Sequence, residues 1–295
     1  MARPQRAQLP AQAQDEDLFR FVDARMRSST QHALGESRLL HGDCLALLDQ
    51  LPAKSVDLVF ADPPYNLSNG GTTCSSGKRV SVDKGKWDAS AGLAADHDFN
   101  LAWLRACQRV LKPSGTIWVS GTHHVIFSIG FAMQSLGYHL LNTITWFKPN
   151  ASPNLACRFF THSTEILLWA APQKRAPLPH TFHYRDMKAA NGGKQMRDLW
   201  KFPEQLPEPE GEQVVWSLPT PAKREKQSGR HPTQKPLALL DRIVRAGSNE
   251  GEIVLDPFNG SGTTGVAAVA SGRRYVGIDV DTAYLDLTRR RLAAL

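Results

Sequence analysis

Two short segments carry residues of the kinds that do chemistry, and each follows an apolar run. The first is VDLVFADPPY, residues 56–65. The apolar part reads as a buried strand that stops abruptly at Asp62-Pro63-Pro64-Tyr65. Open parallel sheets bind ligands at the carboxyl ends of their strands. The prolines fix φ and remove two N–H donors, so the Pro63 carbonyl is held as a rigid acceptor. An ionised Asp62 accepts hydrogen bonds and donates none. Two acceptors beside the flat ring of Tyr65 suit a planar heterocycle bearing an NH2 group, with the amine donating and the ring stacking. Asp-Pro-Pro also occurs as a plain strand-ending turn with a capping Asp, so this motif alone is only moderately specific.

The second segment is EIVLDPFNGSGTTG, residues 252–265. It reads as a strand, then Asp256, then a glycine-rich loop opening a helix. Gly260, Gly262 and Gly265 satisfy G-x-G-x-x-G, and Asp279 closes the next apolar run, RRYVGID. An acid placed there accepts from the ribose hydroxyls of a nucleoside. A dinucleotide is disfavoured by Asp256. A fixed carboxylate ~4 Å from a pyrophosphate at an effective dielectric of ~20 is repelled by several kcal/mol. A ligand with a cationic head is attracted instead. S-adenosylmethionine has an adenosine, an ammonium and a sulfonium, and no phosphate. The loop also lacks the Lys-Ser/Thr pair of a phosphate-binding P-loop.

These segments need elements to hold them. Strands are expected at Arg38–Leu40, Val56–Phe60, Thr116–Ser120, Leu140–Trp146, Thr164–Trp169, Glu252–Leu255 and Arg274–Asp279. Helices are expected near Cys44–Gln50, Asp98–Leu111, His124–Gln134, Pro236–Ala246, Thr263–Ala270 and Thr282–Leu292. Leu101, Leu104, Cys107 and Leu111 form one helical stripe. Alternation of this kind gives an α/β fold, a largely parallel sheet covered on both faces. It fails between about Pro172 and Gly229, where Pro203, Pro207, Pro209, Pro219 and Pro221 crowd together. Residues 173–236 hold 12 Lys/Arg and 7 Asp/Glu, so +5 of the whole chain's +7 lies there. Phe182, Tyr184, Trp200, Phe202 and Trp216 interleave with those cations. This stretch reads either as an insert anchored by its aromatics or as a surface for nucleic acid.

The 295 residues are 41% hydrophobic and 21% charged, a composition that excludes a wholly disordered chain. The longest apolar run, Ile166–Ala171, is far short of the about 20 residues that a membrane span needs. The first residues, MARPQRAQLPAQAQDED, lack the apolar segment of a secretory signal. The four cysteines, at 44, 74, 107 and 157, form no CxxC or metal spacing. His123-His124 and His180/His183 lack ligand companions, so no metal is expected.

ADPPYN (61–66), HPTQKP (231–236) and DPFNGSGTTG (256–265), in that order, resemble the β-group of bacterial DNA amino-methyltransferases. LSNGG (67–71), SVDKGKWD (81–88), NLACRFFTHSTE (154–165) and GKQMRDLW (193–200) bring the chain nearest to adenine-N6 enzymes of the MboII, RsrI and DpnII-second-methylase kind. The resemblance runs from about Arg38 to the C-terminus. It implies a Rossmann-like seven-stranded S-adenosylmethionine-dependent methyltransferase sheet with an inserted target-recognition region. It implies a catalytic half over 37–171, the insert over 172–229 and a cofactor half over 230–295; the residues before these, 1–36, rich in Ala, Gln and Arg at their start, read as a mobile N-terminal arm, with a short helix compatible around Asp17–Met26.

By the same resemblance, Asp62, Pro63, Pro64 and Tyr65 form the catalytic set that holds a flipped target base, and Asp62 borders the cofactor as well. Asp256, Phe258, Gly260, Ser261, Gly262 and Thr263 line the cofactor's methionine end, and Asp279 takes its ribose. Asp43 and Cys44 meet its adenine, and Thr233, Gln234 and Lys235 close over it. The implied substrate is adenine N6 in double-stranded DNA. Cytosine N4 is the alternative, disfavoured because family members acting on cytosine more often carry Ser at the position of Asp62. A homodimer is implied, the resemblance admits a cognate restriction endonuclease acting on the same site, and the expected location is the bacterial cytoplasm, at the nucleoid. Two other classes compete: a nucleotide-dependent oxidoreductase on the same glycine loop, and a non-catalytic DNA-binding protein on a degenerate body. Asp256 with Asp-Pro-Pro-Tyr argues against the first, and the intact motifs against the second.

Overall fold

The computed structural model describes residues 17–68, 72–75, 78–81, 88–149, 151, 153–154, 157–174, 177–200, 221, 225, 229 and 231–295. In chain order the elements are α1 (Leu18–Arg25), β1 (Thr30–Leu34), β2 (Ser37–His41), α2 (Cys44–Gln50), β3 (Val56–Ala61), β4 (Thr72–Ser75), β5 (Lys78–Ser81), α3 (Leu93–Val110), β6 (Leu111–Gly121) and α4 (Ile126–Ser135). There follow β7 (His139–Phe147), β8 (Thr164–Ala171), α5 (Tyr184–Ala190), β9 (Leu199–Trp200), α6 (Leu237–Gly247), β10 (Ile253–Asp256), α7 (Thr263–Ala270), β11 (Arg274–Asp279) and α8 (Thr282–Leu292).

One sheet organises them, in the order β1-β2-β11-β10-β3-β6-β8-β7-β9, with β4 and β5 as a separate hairpin. Strands β2, β11, β10, β3 and β6 are mutually parallel. Strand β8 runs antiparallel to both β6 and β7. The expected α/β sheet is present, and each of the seven expected strands overlaps one of its nine; six lie wholly within one, and Glu252–Leu255 starts one residue before β10. A strand covered on both faces needs apolar residues at every position. In β3, VDLVFA, every residue is buried. On one face lie α1, α2, α3 and α4, packed on Val59, Ala61, Ile117 and Val119. On the other, α6, α7 and α8 pack on Leu58, Phe60, Trp118 and Val254.

The chain leaves β3 toward β6 on one side and leaves β10 toward β11 on the other. Adjacent parallel strands whose connections diverge open a crevice beyond their carboxyl ends. Asp62 follows β3 directly, and Asp256 ends β10. The two segments with chemical residues, far apart in sequence, therefore meet at this crevice.

The expected arm over residues 1–36 does not hold beyond residue 16. Leu18, Phe19, Phe21, Val22 and Met26 are all core residues. Asp17 caps α1 by accepting from the Phe19 backbone N–H, and it pairs with Arg274. Strand β1 then lies antiparallel on β2 as the sheet edge. A short helix around Asp17–Met26 is compatible with the sequence and is present as α1, whereas the polar edge strand TQHAL has no alternation to read. Residues 1–16 lie outside the described residues, as do 201–220 of the insert, Phe202 and Trp216 included. The described start of the insert joins the body: β9 adds to β7, and Trp200 is buried against Trp118 with ring centroids 5.8 Å apart. For Trp200, then, anchoring is the role the structure displays.

The Phe19 ring lies under the guanidinium groups of Arg38 and Arg274, 4.7 and 4.0 Å from its centroid. Removing a buried phenyl ring costs about 3–5 kcal/mol. Phe19→Ala is expected to lower the unfolding free energy by about 3 kcal/mol in urea titration. A loss within measurement error would show that α1 is detachable from the fold.

Candidate active site

The Asp62–Tyr65 turn is shaped by a carboxylate that comes from outside it. Asp88 is buried, and its side chain accepts from the backbone N–H groups of Tyr65, Asn66 and Leu67 at 2.8, 2.8 and 3.0 Å. The Ser68 hydroxyl adds a fourth hydrogen bond, at 3.0 Å. Consecutive N–H groups turned onto one anion form a nest, which here fixes the backbone after the two prolines. Asn66 takes a left-handed φ of 57°, a conformation that asparagine tolerates better than most residues.

Tyr65 is only 7% exposed. Its Oη donates to Asp62 Oδ1 at 2.6 Å and lies 3.1 Å from Ser120 Oγ and 3.4 Å from Glu165 Oε2. The other Asp62 oxygen accepts from Lys235 Nζ. That ammonium lies 5.2 Å from the Tyr65 ring centroid and 3.8 Å from Glu165 Oε2. Lys148 donates to Glu165 Oε1 at 2.8 Å. Two carboxylates and two ammonium groups thus form a balanced buried set. Burial opposes the charge of Lys235, but Asp62 and Glu165 hold its pKa above the ordinary lysine value. Burial likewise opposes the charge of Glu165, and Lys235 with Lys148 brings it below the usual glutamate range. Burial pushes Asp62 upward, with Lys235 the main group resisting that push.

The glycine segment is built for close approach. Gly262 caps α7 at a left-handed φ of 70°, and a Cβ there would stand 2.3 Å from Thr288. A Cβ on Gly265 would stand 2.5 Å from the Tyr275 ring. Asp256 is 2% exposed and accepts from the Phe258 backbone N–H at 2.9 Å and the Thr264 hydroxyl at 2.6 Å. Burial raises its pKa to about 7 against those two hydrogen bonds. Asp279 accepts from the backbone N–H of Gly260 and of Asp281, and burial raises it to about 6. Neither carboxylate forms an ion pair among the described residues. A cavity of about 200 Å³ runs between these acids and Asp62.

Comparison with known proteins now bears on the chain. Residues 56–290 match the DNA methylase family N6_N4_Mtase. The chain belongs to that family. It is 47% identical over 256 residues to the type II methyltransferase M2.DpnII of Streptococcus pneumoniae, covering 87% of this chain and 89% of that one. The fold is similar to the PvuII DNA methyltransferase (cytosine-N4-specific), with a TM-score of 0.63 at 17% identity over 86% of each chain. It is also similar to the M1.HpyAVI–SAM complex, with a TM-score of 0.57 at 24% identity over 87% of this chain and 98% of that one. At those identities the structural likeness speaks for the fold. The protein is therefore an enzyme of DNA methylation, a DNA methyltransferase.

Most residues expected in the methylase site line the one cavity. Asp62 and Pro64 line it, as do Asp256, Phe258, Gly260, Ser261, Thr263 and Asp279 of the glycine-loop side. Asp43, which caps α2, and Cys44 close the side nearest Asp279, and Thr233, Gln234 and Lys235 complete the lining. Burial raises the Cys44 thiol to about 12, so it contributes as a neutral contact. Pro63 and Tyr65 are buried behind the wall, and Gly262 acts through backbone shape. The Tyr65 face, expected to be open for stacking, lies beneath Lys235. Lys235, expected on the cofactor, lines the cavity and also bonds Asp62. Sequence reading gave no role to Asp88, Ser120, Lys148 or Glu165. The signals for Glu165 were its place at the end of NLACRFFTHSTE and at the start of the apolar run EILLWA. Among the described residues, no three His, Cys, Asp or Glu side chains gather as a metal site.

The raised pKa of Asp256 has a sign for stability. Its folded value of about 7 exceeds the unfolded 3.8, so its contribution is fully present below about pH 4 and is lost as pH rises through 7. Asp256→Asn is expected to raise the melting temperature of the ligand-free methylase at pH 8 and to leave it nearly unchanged at pH 4. A lowered melting temperature at pH 8 would show that the carboxylate is structurally needed.

Proposed function

We propose that the protein transfers a methyl group from S-adenosylmethionine to the N6 amine of adenine at a specific site in duplex DNA. The observation that carries this reading is one cavity lined by acids in unlike states. Asp62 presents acceptors beside the DPPY turn and is paired with Lys235, while Asp256 and Asp279 are buried carboxylates that form no ion pair among the described residues. Acids in that condition favour a cationic ligand over a phosphate-bearing one. Gln234 Oε1 is a buried acceptor without a partner on the same cavity, a further place for a ligand N–H or O–H. These residues fit S-adenosylmethionine: Asp256 with Phe258, Gly260, Ser261 and Thr263 at its methionine end, Asp279 at its ribose, and Asp43 and Cys44 at its adenine. When bound, it supplies an electrophilic methyl group on a sulfonium.

A purine amine is a weak nucleophile because its lone pair is delocalised into the ring. Asp62 and the Pro63 carbonyl accept its protons, favour a pyramidal nitrogen and direct the lone pair along the cavity for in-line attack. This is catalysis by position and electrostatics. No covalent protein intermediate is required, in keeping with a neutral Cys44. A paired base in a duplex cannot reach Asp62, so the target leaves the stack, at a cost of a few kcal/mol. Cations of the insert offset that cost at the phosphates. Asp at position 62, where cytosine-specific members more often have Ser, favours adenine over cytosine N4. A homodimer, a cognate endonuclease acting on the same site, and a place in the bacterial cytoplasm at the nucleoid belong to the same reading. Among the described residues, no helix is long and apolar enough to cross a membrane.

Expression in a methylation-deficient host followed by genome-wide mapping of modified bases tests the substrate directly. N6-methyladenine in one short sequence context is expected; N4-methylcytosine would replace the reading. Asp62→Ala is expected to abolish transfer while calorimetry still shows cofactor binding; transfer at the wild-type rate would remove Asp62 from the reaction. Because Asp256 must ionise to meet a cation, cofactor affinity is expected to fall roughly tenfold from pH 8 to pH 6. Asp256→Asn should flatten that dependence. A flat profile in the unmodified enzyme would detach Asp256 from the cationic end.

A further inference from the structure

The two features that should receive the target base are both occupied by a single group of the protein. Lys235 Nζ donates to Asp62 Oδ2 and lies 5.2 Å from the centroid of the Tyr65 ring. An ammonium is a donor to a carboxylate and is attracted to an aromatic face. It therefore matches both contacts that an aminopurine would make there, the N–H to the acid and the body over the ring. The target amine and the ammonium cannot share the same acceptor and the same face.

A displaced ammonium needs an anion close by, since an unpaired charge at this depth costs several kcal/mol. Glu165 Oε2 is 3.8 Å from Lys235 Nζ. Lys148 on the other oxygen and the Tyr65 hydroxyl, 3.4 Å from the same oxygen, hold Glu165 in position. Both cations and both acids are largely buried, with side-chain exposures of 7% for Lys235, 13% for Asp62 and 11% for Glu165.

We propose that Lys235 is a place-holder for the target base: it occupies Asp62 and the Tyr65 face until the base arrives, and then moves onto Glu165, its receiving group. Lys235 and Glu165 are thus positioning residues that keep the acceptor charged and shielded while no substrate is present. This rests on the reading that Asp62 receives the target amine.

The test compares two labelled duplexes bearing the mapped target site, one with adenine and one with an abasic position in its place, by fluorescence anisotropy. Only the adenine duplex requires Lys235 to move. Glu165→Gln is expected to weaken binding of the adenine duplex roughly tenfold while leaving the abasic duplex within about twofold. Adding Lys235→Met to Glu165→Gln should restore the adenine duplex to within about threefold of the unmodified enzyme, because nothing then remains to be displaced. Equal losses on both duplexes, no loss on either, or no recovery in the double variant would overturn the proposal. Should Glu165→Gln not fold, Lys235→Met alone gives the answer: it is expected to strengthen the preference for adenine over the abasic duplex, and an unchanged preference would refute displacement. Failure of the underlying reading looks different. In that case Asp62→Ala retains methyl transfer, whereas failure of displacement alone leaves Asp62→Ala inactive.

Discussion

An acid buried beside a second acid keeps its charge only when a cation shares the site, and at Asp62 that cation is Lys235. The contact joins residues 173 positions apart in the chain. It exists because β10 lies beside β3, so that the segment before α6 and the turn after β3 face one crevice. The same pair balances the base end of the cavity, where two acids meet two ammonium groups. Asp256 and Asp279, on the same cavity, have no ion-pair partner among the described residues, and burial raises both toward neutrality. One cavity thus offers a balanced acceptor to an amine and an uncompensated acid to a cation. That asymmetry separates this site from a dinucleotide site on the same glycine loop.

Rigidity around these charges comes from the backbone. The Asp88 nest fixes the three N–H groups that follow the prolines. Tight contacts at Gly262 and Gly265 draw α7 against Thr288 and Tyr275, which sets the distance between the glycine loop and Asp279. Both devices hold the acceptors in place before binding, the condition under which electrostatic catalysis is effective.

Much of this was readable from residue order. Buried parallel strands are largely apolar runs, so β3 and β10 stand out, and the acid that follows or ends each was read as a ligand position. Helices α2, α7 and α8 have the bounds expected of them. What escaped had weak local signals or depended on distance. Strand β1 is polar and lies at the sheet edge, and β9 is only two residues long. Asp88 and Glu165 matter through partners that sequence spacing cannot pair with them. HPTQKP suggested a lysine over the cofactor, and nothing in those six residues says that the ammonium reaches Asp62. Tyr65 was correctly placed beside the acid, but its covered face follows from Lys235 and could not be read from DPPY.

The central claim is that an adenine amine takes the place now held by Lys235. A crystal structure of the enzyme with target duplex and a non-transferable analogue of the cofactor measures this most directly. The account predicts the flipped adenine with N6 within hydrogen-bonding distance of the Asp62 carboxylate and Lys235 Nζ on Glu165. A base bound productively elsewhere, with Lys235 still on Asp62, would contradict it.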